Sequence, residues 1–221
     1  YGNGTGESIF GEALSQTKTD LFLASKLAPE TENAADSVNN SIKRLRVDEI
    51  DLIQIHGTSI SDEMTSSILS EGGLMDQLET LRDEQLVRFI GFTTEDNNVG
   101  VYRLINSGRF DTVQMTYNLL YQHPAEPTRP FGSMFEAERL DMGICTMRTL
   151  TAGIFQKWMK LVNPLDTFDY TESLLSFVLS NPLVDVALAG MRTPEMVEAN
   201  VRIAEDVSAR IDLQQLHEKF V

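Results

Sequence analysis

The chain has 221 residues, 42% hydrophobic and 23% charged, which is enough apolar material for one sizeable core and a single domain over residues 1–221. Its 33 acidic and 18 basic residues leave a formal net charge of −15, and this argues against a nucleic-acid surface or a face for anionic membranes, since both need clustered Lys and Arg. No run approaches the ~18 apolar residues of a membrane span, and the single Cys145 lies in an apolar stretch, so the expectation is a core thiol in the reducing cytoplasm.

In chain order, residues 1–8 (YGNGTGES) form a glycine-rich loop without the preceding strand that a phosphate-binding fingerprint requires. Glu7–Gln16 reads as a helix with Ile9, Phe10 and Leu14 on one side. Leu21–Ser25 is a short apolar strand that stops at Lys26, and after a loop holding Pro29 a helix runs from Ala34 to Arg46. Asp48–Gly57 (DEIDLIQIHG) is the clearest strand. Its Ile50, Leu52, Ile53 and Ile55 make an almost continuous apolar run, as in a parallel strand covered on both faces. His56 stands at its carboxyl end, the edge where α/β folds bind ligands, and is either an acid–base group or a half-buried cap on the next loop.

The same unit, an apolar strand with a polar tip followed by an amphipathic helix, recurs about every thirty residues. Val87–Thr94 ends in Thr93 and Thr94; Asp111–Asn118 offers Gln114 and Asn118; Gly143–Leu150 offers Met147 and Arg148; Val184–Gly190 runs out into Met191 and Arg192. Helices are expected over Leu74–Glu84, Val99–Ser107, Phe131–Asp141, Tyr170–Ser180 and Pro194–Glu205, the last with proline in its first turn, where it is tolerated. Thr58–Gly72, Tyr121–Pro130 and the patch Phe155–Trp158 read as loops that would shape a pocket, although Phe155 and Trp158 also suit helix packing.

Six strands fit an open doubly wound sheet or an incomplete (β/α)8 barrel. The absence of a fingerprint loop after the first strand favours the barrel, which in full takes about 250 residues. The expectation is therefore an α/β chain, a (β/α)8 TIM barrel lacking its first strands in this sequence, with those strands either upstream of Tyr1 or lost by truncation.

Several long segments, in order, resemble the aldo-keto reductases. YGNGTGESIFGEAL is similar to that family's YG-x-G-x-SE-x-x-LG-x-AL segment, LFLASK to the strand ending in its active-site lysine, and DSVNNSIKRLRVDEIDLIQIHG to its SL-x-x-SL-x-x-L-x-x-DY-x-DL-x-x-IH signature. VRFIGFTT resembles its VR-x-IG-x-SN strand, DTVQMTYNLL its Q-x-x-YN strand, and LAGMRTPEMVEAN its last strand and cofactor-binding helix. The resemblance implies a barrel enzyme that reduces an aldehyde or ketone, a small-molecule carbonyl substrate, with NADPH as cofactor and NADH possible, no metal, and an oligomeric state left open.

The resemblance maps three of the family's catalytic residues onto Tyr1, Lys26 and His56. Hydride addition to a carbonyl builds charge on oxygen that must receive a proton. A phenol with a pKa near 10 suits that task at neutral pH only beside a cation, which is the role implied for Lys26. His56 would orient the carbonyl. The family's aspartate belongs to a strand absent from this sequence. For the cofactor, Thr93, Thr94 and Gln114 fall at the nicotinamide amide, Met147 where an aromatic ring often stacks, Arg148, Leu150 and Gly153 around the pyrophosphate, and Gly190, Met191, Arg192 and Asn200 at the adenosine half. Gly190 and Met196 stand where many members have Lys and Arg, which leaves Arg192 as the cation for a 2′-phosphate. Three other readings stay open: a non-catalytic relative that senses nicotinamide redox state, a class I aldolase-like barrel with Lys26 as Schiff base, and a truncated or redundant copy without activity.

Overall fold

The computed structural model describes residues 2–17, 21–126 and 130–220, with residue 220 described for its backbone only. The chain divides into two compact units, residues 1–113 and 114–221. In the first, α1 (Thr5–Gln16), β1 (Ala24–Leu27), α2 (Ala34–Leu45), β2 (Ile50–His56), α3 (Asp62–Leu69), α4 (Leu74–Asp83), β3 (Val87–Thr94) and α5 (Val99–Asn106) follow one another. Strand β4 (Thr112–Thr116) crosses the boundary. The second unit continues with α6 (Ser133–Arg139), β5 (Gly143–Met147), α7 (Ile154–Val162), α8 (Thr171–Leu179), β6 (Val186–Ala187), α9 (Pro194–Glu205) and α10 (Leu213–Phe220). No helix among the described residues is long and apolar enough to cross a membrane.

In the first unit the strand order is β1-β2-β3 with β4 next, and β2 pairs in parallel with both β1 and β3. β2 is buried on both faces, with Ile50, Leu52, Ile53 and Ile55 all in the core, as its almost continuous apolar run predicts. The register sets Lys26 opposite Gln54, Gln54 opposite Gly91, and His56 opposite Thr93. In the second unit the order runs β4-β5-β6, and Cys145 and Thr146 of β5 pair in parallel with Val186 and Ala187.

Strand starts share one device. Asp51 accepts a hydrogen bond from the Leu23 amide (2.8 Å), Asp111 from the Ile90 amide (2.8 Å) and Asp185 from the Ile144 amide (2.7 Å). A carboxylate at the head of one strand thus satisfies a backbone donor of the strand before it, which would be costly to leave buried and unpaired. Helix starts follow ordinary capping chemistry, with Asn33, Ser61, Asn98 and Thr193 accepting from the amides of Asp36, Met64, Val101 and Met196.

Four expectations change. The first strand does not stop before Lys26, because β1 spans Ala24–Leu27 and holds Lys26 inside its ladder. Thr58–Gly72 contains helix α3, started by Ser61 and by acids in the first turn. Phe155–Trp158 lies within helix α7, where Trp158 is exposed and Phe155 packs edge-on against Tyr170 with ring centroids 5.1 Å apart. The strand expected over Val184–Gly190 is ordered as β6 only at Val186–Ala187.

Helix α1 forms where expected, yet Ile9 and Phe10 are each 63% exposed, while Glu7 (5% exposed) and Gly11 are the residues buried. Gly11 is required there, since a Cβ would stand 2.1 Å from the carbonyl oxygen of Arg44. Glu7 accepts from the Ser25 hydroxyl (2.5 Å) and from Arg44 Nε (2.6 Å), pinning α1 and α2 to β1 beside Lys26. Burial pushes the Glu7 carboxyl up, but hydrogen bonds from Ser25, Ser41 and Arg44 outweigh it and bring the pKa down to about 2.

Candidate active site

The first unit places Lys26 and His56 on the same side of neighbouring parallel strands. Lys26 is the third residue of β1, half-buried, and its Nζ donates to Gln54 Oε1 at 2.8 Å. Gln54 is 1% exposed and lies two residues before His56, so both point to one face of β2. His56 is the last residue of that strand and is exposed. Partial desolvation, and after it the positive charge of Lys26, push the imidazole below its ordinary pKa. Tyr1 lies outside the described residues.

Gln54 carries a cost. Its Nε2 is buried with no hydrogen-bond partner among the described residues, and an amide donor left in that state costs about 1–3 kcal/mol. Its signal in the sequence is an amide between the apolar residues Ile53 and Ile55, at even spacing from the ionisable tip His56.

Thr93 and Thr94 close β3, both buried. The Thr93 hydroxyl donates to the Gly57 carbonyl at 2.8 Å, and the Thr94 hydroxyl accepts from the Asp96 amide at 2.9 Å. Asp96 in turn gathers the Ser59 hydroxyl (2.7 Å), the Ile60 amide (3.1 Å) and the Asn98 side-chain amide (3.1 Å), tying the loop after β3 to the loop after β2. Asp96 is a second organising residue that the sequence reading passed over.

In the second unit, Gln114 is buried on β4, and its Nε2 lies 3.2 Å from the Met147 sulfur at the end of β5. The next residues turn sharply: Arg148, Thr151 and Ala152 have φ of 57°, 55° and 51°, followed by Gly153 at 78°. Three non-glycine residues in the left-handed region within five positions store of order 1–3 kcal/mol each, a pattern that collects at binding sites. The turn is held by Asn118, whose side-chain amide donates to the Arg148 carbonyl at 2.9 Å, and by Thr149, whose hydroxyl donates to the Leu188 carbonyl at 2.7 Å. Leu150 stands immediately before the single 3-10 turn Thr151–Gly153 that leads into α7, and its side chain makes no capping hydrogen bond.

Past β6, exposed Met191 and Arg192 border a recess of about 490 Å³ with Thr193, Pro194 and Val197, at the amino end of α9. A second recess of about 320 Å³ brings Met191 together with half-buried Asn200, Val186 and Val201. Gly190 leaves open space, since a Cβ there would meet nothing within 4 Å. These residues suit an adenosine phosphate: Arg192 and a helix amino terminus supply positive potential, and Met191, Val197 and Val201 supply apolar surface for a base.

A sequence profile of the Aldo/keto reductase family matches residues 1–219. The chain belongs to the aldo/keto reductase family. Two curated Bacillus subtilis proteins are similar to it. One, described as uncharacterized oxidoreductase YqkF, is 26% identical over 139 residues, covering 57% of this chain. The other, aldo-keto reductase YhdN, is 25% identical and covers 90% of this chain. The chain's match spans 43% of the first relative's length and 70% of the second's. Among solved structures, aldo-keto reductase AKR11C1 from Bacillus halodurans in its holo form superposes with a TM-score of 0.74 at 20% identity, covering 100% of this chain and 80% of that one. An aldo/keto reductase from Klebsiella pneumoniae in complex with NADP and acetate gives a TM-score of 0.72 at 19% identity, covering 99% and 75%. The fold is therefore that of the aldo/keto reductases, a (β/α)8 barrel, of which six strands are present among the described residues.

Proposed function

We propose that this aldo/keto reductase reduces an aldehyde or ketone with a reduced nicotinamide cofactor, NADPH ahead of NADH. The observation that carries the reading is the Lys26–Gln54–His56 arrangement, a cation and an imidazole on one face of two adjoining parallel strands, with the cation's charge felt at the imidazole. Family membership supports the reading, as does the binding of NADP by the Klebsiella pneumoniae relative.

On this reading Tyr1 donates the proton that the developing alkoxide needs. Lys26 acts through its charge, making the phenolate less costly and bringing the phenol's pKa toward neutrality. His56, its imidazole pushed below the ordinary pKa by partial desolvation and then by that charge, donates to the carbonyl oxygen and orients it. Gln114, Met147 and the turn Arg148–Gly153 would hold the nicotinamide and pyrophosphate portions, and the resemblance assigns Thr93 and Thr94 to the nicotinamide end as well. Gly190, Met191, Arg192 and Asn200 hold the adenosine end. When bound, the reduced nicotinamide supplies the hydride.

The test is Lys26→Met in the full-length protein, followed by the loss of reduced-cofactor absorbance against a panel of aldehydes and ketones. Reduction should fall by at least ~100-fold while cofactor affinity stays within about threefold, as expected when only transition-state stabilisation is removed. Undiminished turnover would remove the proton-donor role. Borohydride trapping of a substrate on Lys26 would instead establish Schiff-base chemistry.

A further inference from the structure

We infer that Asp96 is a positioning residue for His56: its carboxylate gathers the loop after β2 and so fixes the strand end that carries the imidazole. The inference rests on the proposed carbonyl reduction for its catalytic meaning, but the positioning itself is a property of the two loops.

The β2–β3 ladder ends at the pair His56–Thr93. His56 therefore stands on the last rung, exposed, where a strand frays first unless the chain beyond it is held. Past that rung the two chains stay together, increasingly through side chains. The Thr93 hydroxyl donates to the Gly57 carbonyl at 2.8 Å, and the Glu95 amide to the Thr58 carbonyl at 2.9 Å. Three donors then converge on one oxygen, Asp96 Oδ2: the Ser59 hydroxyl at 2.7 Å, the Ile60 amide at 3.1 Å and the Asn98 side-chain amide at 3.1 Å. Asn98 also donates to the Ile60 carbonyl at 2.9 Å, so both backbone groups of fully buried Ile60 are held from the loop after β3. That loop is itself anchored. The Asp96 amide donates to the Thr94 hydroxyl at 2.9 Å, and Asn98 Oδ1 accepts from the Val101 amide at the start of α5.

Two features make this pairing firm. A Cβ at Gly57 would stand 2.7 Å from the Thr93 carbonyl oxygen and 2.6 Å from Ile60 Cγ1, so only glycine lets the chains run this close. The bonds to Asp96 have an ionised acceptor, which makes each roughly twice as strong as its neutral counterpart. The held segment begins one residue after His56, and the proposed reaction asks the imidazole to meet the carbonyl oxygen at hydrogen-bond distance. Misplacement of a catalytic group by about 1 Å can cost on the order of 100-fold in rate. Asp96 touches neither substrate nor cofactor on this reading and acts through the loop alone.

The experiment combines kinetics with NMR of the three histidine rings. Asp96→Ala should lower kcat for carbonyl reduction about tenfold or more with KM for the cofactor within about twofold. Asp96→Asn keeps an oxygen for the same donors and should return kcat to within about threefold of the unaltered protein. In a His56→Gln background, Asp96→Ala should lower the residual rate by less than about twofold, because two residues acting through one group are not additive. An equal loss in both backgrounds would overturn the proposal, since Asp96 would then act by some other route. The His56 ring signals should shift or broaden in Asp96→Ala and return in Asp96→Asn, while those of His123 and His217 stay in place. Unmoved His56 signals in Asp96→Ala would also overturn it. Ser59→Ala removes only one exposed donor and serves if the Asp96→Ala chain fails to fold. It should shift the His56 signals in the same direction by less and lower kcat about two- to threefold, and no change in either would overturn the proposal. If the unaltered protein reduces no carbonyl compound, the proposed function falls, while the His56 signals still decide the positioning by themselves.

Discussion

Replacing Glu7 by Gln tests how the platform beneath Lys26 is held. The carboxyl is lowered from the ordinary 4.5 to about 2 although its burial works the other way, because Ser25, Ser41 and Arg44 all donate to it. At about 1.4 kcal/mol per pH unit the difference corresponds to roughly 3 kcal/mol of stability at neutral pH. A folded-state pKa below the unfolded one gives stabilisation that is whole above pH 4.5 and is lost as pH falls toward 2. Linkage places about 1 kcal/mol of the loss by pH 4 and about 2 kcal/mol by pH 3. Glu7→Gln keeps the shape and one acceptor for Ser25 but leaves the half-exposed Arg44 without its carboxylate, so a loss of about 2–3 kcal/mol at pH 7 is expected. The assay is urea unfolding of both proteins at pH 7, 5, 4 and 3. The gap between the two free energies should narrow on the acid side, because only the native chain has this carboxylate to lose. A gap that stays constant from pH 7 to pH 3 would refute the reasoning, showing that the substitution acts through packing and that the carboxylate's charge contributes nothing.

Arg192→Ala should weaken NADPH binding by about tenfold and leave NADH nearly unaffected, since only NADPH carries the extra phosphate; fluorescence titration with both cofactors checks this, and equal losses would show that Arg192 positions a loop. Gly91→Ala should cost about 1–3 kcal/mol in thermal or urea unfolding, because the new methyl meets Thr112 Oγ1 at 2.2 Å. Adding Thr112→Ala to that variant removes the obstructing atom and should recover most of the loss; no recovery would place the strain in the backbone instead.

What the sequence made legible follows from how each element is buried. β2 is recognisable because a strand covered on both faces favours apolar residues at successive positions, and the chain supplies them at Ile50, Leu52, Ile53 and Ile55, with Asp51 and Gln54 the two exceptions. α9 is recognisable because Thr193 and Pro194 mark its start by local chemistry alone. α1 defeats the same logic of apolar faces. Its apolar pair Ile9 and Phe10 points away from the described core, while a charged residue goes inward because Ser25 and Arg44 are there to receive it, and those partners lie 18 and 37 positions away. α3 was missed for the opposite reason: DEMTSSIL is polar enough to pass for a loop, and only Ser61 ahead of two acids marks the start.

The site divides along the same line. Residue types at strand ends can be read from order and resemblance, and the structure sets Lys26 and His56 on neighbouring strands as that order implies. The direction of a short polar side chain cannot be read this way, because it is decided by whichever unpaired backbone group lies nearest after folding. Thr93 and Thr94 stand where the resemblance puts nicotinamide contacts, yet one hydroxyl is turned to the Gly57 carbonyl and the other to the Asp96 amide. A threonine oxygen sits one bond from Cβ and its χ1 is restricted by branching, so it serves the backbone beside it more readily than a group across a pocket. An asparagine in place of Thr94 would extend its amide one bond further and carry both donor and acceptor. Both hydroxyls thus face the protein itself: Thr93 ties β3 to Gly57 just past β2, and Thr94 through Asp96 orders the loops after β2 and β3, which follow the strand ends that carry His56 and the threonines.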